Sequence, residues 1–415
     1  MTRFTFVHAA DLHLGSPLSG LASKDAAIAE RFAGAGRRAF EDLVTRAVEE
    51  QAAFMVVAGD VYDGDWPDHT IGLFFAQQVA KLARAGIPVV MVKGNHDAES
   101  VVTRKLGLPP SVTTFPTQRA ATHRLEHLRV ALHGRSFPDR AVDENYALTY
   151  PAAVPGWFNI GVLHTSCAGH AAHETYAPCS VADLAARGYD YWALGHVHDY
   201  AELATDPWIV FPGNLQGRSV RECGPKGAVA VDVEDGRVRA VRRLVVDHAR
   251  FHRLDVDLAG IAGPQEAAAA VEEALRPLAA EAEGRLLAVR VRLHGETEAH
   301  DRIAADRAGI AAEVQAAAQR VHEDIWLERL SLATTRPRSA TRTPEAGLSI
   351  DPAALLASVE RDADFREKAA GILDEIAKRM PPALAAEGGL LAGDLDGLCA
   401  EAEALILGRL SGEAR

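Results

Sequence analysis

Five short apolar runs in the first half of this 415-residue chain end in the same way, with a cluster of aspartate, asparagine or histidine. The runs are rich in β-branched residues, which favours strands. Polar groups that follow successive strands gather on one edge of a layered sheet. The clusters therefore constrain the fold strongly, because they must converge. They are DLH at residues 11–13, GD at 59–60, GNHD at 94–97, LHTS at 163–166 and GHVH at 195–198.

Residues 1–250 alternate these runs with Ala-rich stretches in which apolar positions recur every three or four residues. That alternation predicts an α/β domain of layered sheets flanked by helices, with the chemistry on loops at strand ends. Helices are predicted at residues 37–50 and 71–85. Strands are predicted at residues 4–8, 54–58, 89–92, 130–133, 159–163, 191–194, 209–211 and 228–233.

The rest of the chain predicts a smaller α+β capping domain at residues 251–334, a linker at 335–350 and a helical tail at 351–415. The cap combines strands at 251–258 and 286–293 with helices at 265–282 and 299–321. The linker is rich in threonine, arginine and proline. Two amphipathic helices, 351–379 and 390–410, make up the tail. A pair of helices on a linker has too little core of its own, so its apolar stripe needs another surface to cover it. It docks on a partner or packs back on the cap.

Composition indicates a soluble cytoplasmic protein. Apolar residues make up 48% of the chain, enough for substantial cores. No uncharged run reaches the roughly 18 residues of a membrane span, and the first residues form a poor secretory signal. Four scattered cysteines without a Cys-x-x-Cys pair indicate free thiols. The net charge of −13, mostly C-terminal, argues against coating nucleic acid by bulk attraction.

The five clusters together offer two aspartates, one asparagine and four histidines as metal ligands. Seven ligands are too many for one ion but suit two ions that share a carboxylate. Mixed imidazole and carboxylate donors suit manganese, iron, zinc or cobalt better than magnesium. Such a pair stabilises both oxygens of an in-line displacement, as phosphate-ester hydrolysis requires. The candidate ligands are Asp11, His13, Asp60, Asn95, His164, His196 and His198.

Two of the clusters contain ligands that are two residues apart, Asp11 with His13 and His196 with His198. In an extended chain such side chains face the same way. We therefore expect alternation to direct each doublet at the metals. Glycines before Asp60, Asn95 and His196 are expected to let the backbone turn closely beneath them.

In identity, order and spacing these motifs resemble the calcineurin-like metallophosphoesterase superfamily. Within it, the opening HAADLHLGSPL at residues 8–18, the cap and the helical tail resemble the DNA double-strand-break repair nucleases, of the SbcD and YhaO types. The resemblance implies two divalent ions, with manganese foremost. It places Asp11, His13 and His198 on one ion and Asn95, His164 and His196 on the other, bridged by Asp60.

The resemblance also implies roles around the ions. A water held by them is the nucleophile. His96 meets the scissile phosphate and stabilises its charge or protonates the leaving oxygen, and Asp97 is expected to orient His96. Many family nucleases carry a histidine three residues after the bridging aspartate, whereas this chain has Asp63. That departure leaves the second catalytic histidine of the family without a counterpart here.

The implied activity is that of a DNA exonuclease with endonuclease activity, acting in repair beside an SMC-like (SbcC-type) ATPase, as a homodimer. Two alternatives stay open. One is a scaffold for the ATPase with weak hydrolysis, and the other is a nucleotide or small-molecule phosphodiesterase.

Basic residues offer candidates for substrate contact. Arg218 and Arg221 lie in a Gly-rich stretch at residues 211–227, which is either a phosphate-binding loop or a solvated turn. Arg31, Arg37, Arg38 and the run 119–135 could line a DNA track, although charged helix faces are usually only solvated.

Overall fold

The computed structural model describes residues 2–16, 26–63, 69–99, 108–167, 176–337, 352–379 and 395–410. It divides into two compact units. One unit comprises Met1–His252 with Arg285–Ala288, and the other comprises Arg253–Gly284 with Val289–Arg415. None of the described helices is long and apolar enough to cross a membrane.

The described residues of the first unit contain twelve strands, which form two sheets. In chain order they are β1 (Arg3–Ala9), β2 (Phe54–Ala58), β3 (Val89–Val92), β4 (Val112–Thr114), β5 (Ala121–Leu125), β6 (Val130–Gly134), β7 (Phe158–His164), β8 (Tyr191–Gly195), β9 (Ala201–Thr205), β10 (Trp208–Phe211), β11 (Gly227–Glu234) and β12 (Arg237–Val245). Its helices are α1 (Ala26–Ala33), α2 (Ala35–Glu49), α3 (His69–Arg84), α4 (Asn95–Glu99) and α5 (Val181–Ala185).

Each sheet has six strands and a parallel centre. The first has the order β12-β11-β1-β2-β3-β4, in which β1 to β4 run parallel, β11 is antiparallel to β1 and β12 is antiparallel to β11. The second has the order β5-β6-β7-β8-β10-β9, in which β6, β7, β8 and β10 are parallel and both edge strands antiparallel. Parallel strands end on the same side of a sheet, which brings the loops after β1, β2 and β3 together.

The two sheets pack face to face, and each buries one face against the other sheet. Phe6 of β1 stacks on Phe54 of β2 at 5.0 Å between ring centroids. It also meets Tyr191 of β8, in the other sheet, edge-on at 5.3 Å. Alternate residues of the same strands, such as Val7 and Met55, pack in a separate core with α2 and α3. The helix α2 contributes apolar residues spaced three or four apart, including Phe40, Leu43, Val44 and Ala47. The strands are thus apolar on both faces, as buried parallel strands are.

The prediction of an α/β fold is confirmed. The eight predicted strands correspond to β1, β2, β3, β6, β7, β8, β10 and β11. The sequence did not indicate β4, β5, β9 and β12, which are the four edge strands of the two sheets.

The second unit is built on a three-stranded sheet in the order β13-β14-β15, formed by β13 (Ala249–Asp257), β14 (Leu286–Glu296) and β15 (Ile325–Thr335). The helices α6 (Pro264–Ala282), α7 (His300–Ala305) and α8 (Arg307–Val321) accompany it. The sequence missed β15 and predicted α7 and α8 as a single helix. The break falls at Asp306, whose carboxylate accepts the backbone N–H of Gly309 at 2.8 Å and so caps α8.

The helical tail contains α9 (Pro352–Glu360), α10 (Ala363–Arg379) and α11 (Leu395–Leu410). The first predicted tail helix is divided near Asp362, which accepts the backbone N–H of Phe365 at 2.9 Å. Helix α11 packs against α7 and buries Leu407 completely. That arrangement agrees with a tail that folds back on its own cap. Among the described residues of α10, however, none is buried. Most of the predicted linker, from residue 338, lies outside the described residues.

Candidate metal centre

The five polar clusters lie at the carboxyl ends of five strands. Asp11, Asp60 and Asn95 follow β1, β2 and β3 of the first sheet, and His164 ends β7 of the second. The register pairs His164 with Gly195, the last residue of β8, so His196 and His198 come from the adjoining loop. The centre therefore lies where the ends of both sheets meet.

Four ligand-bearing residues adopt the left-handed backbone conformation that favours glycine. Their φ angles are 52° at Asp11, 41° at His13, 53° at Asp60 and 100° at His196. Backbone N–H groups of Asp11 and His13 donate to the carbonyls of Gly59 and Asp60, both at 3.0 Å. The expectation that strand alternation directs each doublet is therefore wrong. Backbone hydrogen bonds to the loop after β2 hold the first doublet instead, and left-handed backbone conformations of this kind are typical of functional sites.

Glycines leave no room for a side chain beneath the centre. A β-carbon on Gly94 would lie 2.2 Å from Asp60 Oδ1, and one on Gly59 would lie 2.5 Å from His164 Nδ1. Gly59 also has a φ of 97°. The expected close turns are present at these positions, and they allow Asp60 and His164 to approach.

Among the described residues there are three groups of three side chains, and within each group the ligand atoms lie within 4.8 Å of one another. They are Asp11 with His13 and His198, His13 with Asp60 and His96, and Asp11 with Asp60 and His164. His13 Nε2 lies 3.1 Å from His198 Nε2, and His164 Nε2 lies 3.4 Å from Asp60 Oδ2. His13 Nε2 also lies 3.9 Å from Asp60 Oδ2, and His198 Nε2 lies 4.0 Å from Asp11 Oδ1. Imidazole nitrogens that face each other beside carboxylates suit a divalent cation.

The two remaining candidate ligands join the same cluster. Asn95 Oδ1 lies 2.9 Å from His164 Nε2. The ring of His196 lies 5.2 Å from that of His164, and its backbone N–H donates to the Asp11 carboxylate at 2.9 Å. His164 Nδ1 donates to the carbonyl of Ala58 at 2.9 Å, which presents Nε2 to the centre. The structure thus brings all seven candidate ligands together.

Burial and charged neighbours shift the pKa values of the candidate ligands. Burial lowers the pKa of His164, but the charges of Asp60 and Asp11 outweigh it and raise that pKa to about 9. Burial raises the pKa of Asp60, yet His164, His13 and His96 bring it well below its ordinary value. At His13, burial dominates and lowers the pKa to about 3. An ionised carboxylate at Asp60 and a neutral imidazole at His13 are forms that bind a metal, and a metal bound by His164 would displace the proton that its raised pKa favours.

His96 is paired with Asp63. Its Nδ1 lies 3.1 Å from Asp63 Oδ1, and His13 Nδ1 lies 3.5 Å from the same oxygen. Burial lowers the pKa of His96, but Asp63 and Asp60 reverse this and leave it above its ordinary value. Asp63 therefore holds the His96 ring, the role that the sequence had assigned to Asp97, and Asp97 has a different role. Its two carboxylate oxygens accept backbone N–H groups of Val61, Tyr62 and Gly94 at 3.0 to 3.1 Å, which fixes the loops that carry Asp60 and Asn95.

Glu222 is a site residue that sequence reasoning missed. Its Oε1 accepts from His198 Nδ1 at 2.8 Å and from Arg218 Nη2 at 3.1 Å. Carboxylates commonly orient a ligating histidine in this way, so the second nitrogen of His198 is the signal that could have led to it. Arg218 also lies 3.7 Å from Asp63, which places its charge beside the centre.

The stretch at residues 211–227 is not a solvated turn. Asn214, Gln216 and Lys226 are buried, and Lys226 Nζ donates to the carbonyl of His198 at 2.9 Å. By contrast Arg221 is exposed.

Some of the basic residues considered for a DNA track have internal contacts. The guanidinium of Arg135 lies over the Tyr146 ring at 3.9 Å, and Arg38 donates to the carbonyl of Arg31 at 2.8 Å.

Comparison with known proteins agrees with this geometry. Residues 4–200 match the family described as calcineurin-like phosphoesterase, and residues 251–335 match the middle domain of the metallophosphoesterase YhaO. An uncharacterized metallophosphoesterase YhaO of Bacillus subtilis is 34% identical over 242 residues, or 57% of this chain and 59% of that protein. The DNA double-strand break repair protein Mre11 of Methanopyrus kandleri is 28% identical over 218 residues, or 46% of this chain and 44% of that protein.

The matched regions thus cover less than two thirds of either relative. Among solved structures, a dimetal phosphatase from Danio rerio aligns with 60% of this chain and 99% of its own at 10% identity and a TM-score of 0.35, too low to bear on fold or function. The family matches and the identity to YhaO lead to one conclusion. Residues 4–200 form a calcineurin-like metallophosphoesterase domain, and residues 251–335 form a YhaO-like middle domain.

Proposed function

We propose that the protein is a two-metal phosphodiesterase that hydrolyses DNA, with manganese as its metal. It would act as an exonuclease with endonuclease activity in DNA repair. One observation carries the proposal, namely that the three ligand groups overlap through shared Asp11, His13 and Asp60. Overlapping groups suit two neighbouring ions better than one, and paired ions are suited to displacement at phosphorus.

Two ions bound there would activate a water and polarise the phosphate. The chain's own residues would orient that chemistry. The carboxylate of Asp60 would lie between the ions, and its Oδ1 accepts the backbone N–H of His96 at 3.0 Å. Because of that hydrogen bond, a shift of the Asp60 carboxylate would also shift His96, the residue proposed to act on substrate.

His96 is suited to act as an acid. Its side chain is 30% exposed, whereas those of His13 and His164 are almost fully buried. The pKa raised by Asp63 and Asp60 favours the imidazolium form. An imidazolium that reaches the phosphate can stabilise its negative charge or protonate the leaving oxygen. His96 also belongs to one ligand group, so a role as a fifth histidine ligand is the alternative to be tested.

DNA is proposed as the substrate for two reasons. One of the matched relatives is named a DNA double-strand break repair protein. The guanidinium of Arg218, which lies 3.3 Å from His198 Nδ1, brings a cation to the ligand cluster where a phosphate backbone would pass.

The test is cleavage of linear duplex DNA by the purified chain with manganese, with His96→Ala compared against His127→Ala. His127 is an exposed histidine distant in sequence from the ligand clusters. We expect His96→Ala to lower the rate by about 10² to 10⁴-fold, the usual contribution of a general acid, with its metal content unchanged. The His127 variant should match the parent. Loss of bound metal in His96→Ala would make His96 a ligand.

The same assay decides among the activities. Turnover of bis(p-nitrophenyl) phosphate without cleavage of DNA would favour a small-molecule phosphodiesterase. Absence of both under manganese, iron, zinc and cobalt would favour the scaffold.

The tail offers a surface for the proposed SMC-like ATPase partner. Ile372 and Ile376, one helical turn apart on α10, are 61% and 44% exposed, and Leu355 of α9 is 54% exposed. Exposed apolar residues in such a row often mark a protein interface. We expect Ile372→Ser with Ile376→Ser to weaken binding of the ATPase, and Asp374→Ser on the same helix to leave it intact. Sedimentation of the chain alone would test the proposed homodimer.

A further inference from the structure

A small pocket opens directly beside the ligand cluster. His13, Ser16, Arg37, Gln216 and Arg218 are among the residues that line it, together with glycines of the loop after β1 and of α2. Its volume is about 20 Å³, enough for one group the size of a water molecule or a phosphate oxygen. His13 belongs both to this pocket and to two ligand groups, so a bound group would adjoin the centre.

Two guanidiniums define the charge of the pocket. Arg218 projects from the loop after β10, and its side chain is 22% exposed. Arg37 projects from the first turn of α2 and is exposed, with its guanidinium 5.8 Å from the Phe74 ring and 3.5 Å from the Thr70 hydroxyl. None of the described lining residues is acidic. The carboxylates of Glu222 and Asp63 lie 3.1 and 3.7 Å from the Arg218 guanidinium and offset its charge, so Arg37 supplies the excess positive charge. An anion is the ligand that such a pocket attracts.

The other polar groups of the wall are already engaged. Gln216 Nε2 donates to the carbonyl of Gly217 at 2.9 Å and its Oε1 accepts from His248 and Ala249 at 2.9 and 3.1 Å. The hydroxyl of Ser16 is hydrogen-bonded to Asp63. Arg218 is also held by Glu222 at 3.1 Å. Arg37 and Arg218 are the basic side chains that line this pocket.

We propose that Arg37 and Arg218 form an anion subsite for the phosphate next to the scissile one. The inference rests on the proposed function and deepens it by naming two residues that would recognise a second phosphate of the substrate. An isolated phosphodiester has one phosphate, which the metal centre itself would hold. A polynucleotide carries a regular row of them. The subsite would then favour a chain of linked phosphates over an isolated diester.

The test compares three thymidine dinucleotides: one without a terminal phosphate, one with a 5′ phosphate and one with a 3′ phosphate. Affinities are measured by calorimetry on the manganese-loaded His96→Ala protein, so that the substrates survive. One phosphorylated form should bind at least about tenfold more tightly than the unphosphorylated one, the effect of one hydrogen bond to a charged group. Arg37→Ala should abolish this preference, and Arg37→Lys should restore part of it.

Arg46→Ala is the matched control. It lies on the same helix, is 58% exposed and pairs with Glu49 at 3.5 Å, and should keep the preference. Equal affinities for the three dinucleotides, or a preference that survives Arg37→Ala, would overturn the subsite even if DNA is cleaved. If DNA is not cleaved, the proposed nuclease function fails, yet the affinities still decide for or against the subsite.

Discussion

Replacing Gly94 by alanine tests whether close packing under the candidate metal centre fixes the position of the Asp60 carboxylate. Gly94 has no left-handed φ, so alanine can adopt its backbone conformation. The substitution therefore tests the steric effect of the added β-carbon alone. The new β-carbon would lie 2.2 Å from Asp60 Oδ1 and 2.8 Å from His164 Cε1.

The size of the effect follows from that distance. Real β-carbon contacts essentially never fall below 3.0 Å, so Asp60 must retreat by about 0.8 Å. Catalytic groups need placement within about 0.5 Å, and a misplacement near 1 Å can cost about 10²-fold in rate. That loss is about 2.7 kcal/mol of transition-state stabilisation. The shift would also strain the hydrogen bond from His96 N–H to Asp60 Oδ1 at 3.0 Å.

Two measurements check this prediction. Manganese content after dialysis, by elemental analysis, should fall in Gly94→Ala, and kcat/KM for bis(p-nitrophenyl) phosphate should drop about a hundredfold. Gly371→Ala is the control, because a β-carbon there meets nothing within 4 Å. It should bind metal normally, and α10 should gain up to about 1 kcal/mol in helix stability. Parental metal content and rate in Gly94→Ala would refute the view that the glycine sets the position of Asp60.

Three further predictions concern other parts of the first unit. Glu222→Gln removes the charged acceptor of His198 Nδ1, so manganese affinity measured against a competing chelator should weaken about 10 to 100-fold; unchanged affinity would mean that Glu222 does not orient the ligand. Phe6→Ala empties a fully buried position between the sheets and should cost about 3 to 5 kcal/mol in urea unfolding, against a small effect for Leu148→Ala, 60% exposed; comparable losses in both would contradict the assigned core. Hydrogen bonds from Arg242 lower the pKa of Glu50 and of Asp232, so their stabilisation is present above the ordinary pKa values of 4.5 and 3.8 and is lost as pH falls below them. The difference in unfolding free energy between the parent and Arg242→Met should accordingly be larger at neutral pH than near pH 3, and a gap that widens in acid would reverse the sign of this reasoning.

The sequence predicted the central strands because their residues are buried on both faces. Runs such as Phe54–Ala58 and Val89–Val92 are buried at every position and appear in the sequence as continuous apolar stretches. The edge strands differ. β5 (Ala121–Leu125) and β9 (Ala201–Thr205) are mostly half-exposed and contain polar residues. Edge strands commonly carry charge, so a search for apolar runs does not find them.

The site could be predicted where a residue type and a strand end coincide. That rule located the seven candidate ligands and His96. It could not assign Asp63, Asp97 and Glu222, since a carboxylate near a motif can hold an imidazole or a backbone loop. These roles can be told apart only from the residues that contact each carboxylate in the folded structure. Glu222 meets His198 across 24 residues of sequence, a distance over which no local pattern operates.

The centre takes its side chains from both sheets. Asp11 and Asp60 belong to loops of one sheet, His164 and His198 to the end of the other, and the aromatic rings of Phe6, Phe54 and Tyr191 separate the two layers. Bound ions would therefore link the two sheets at the ends of their strands. We expect substitutions of these buried rings to change the spacing between donors of the two sheets, and with it the cation that the protein prefers.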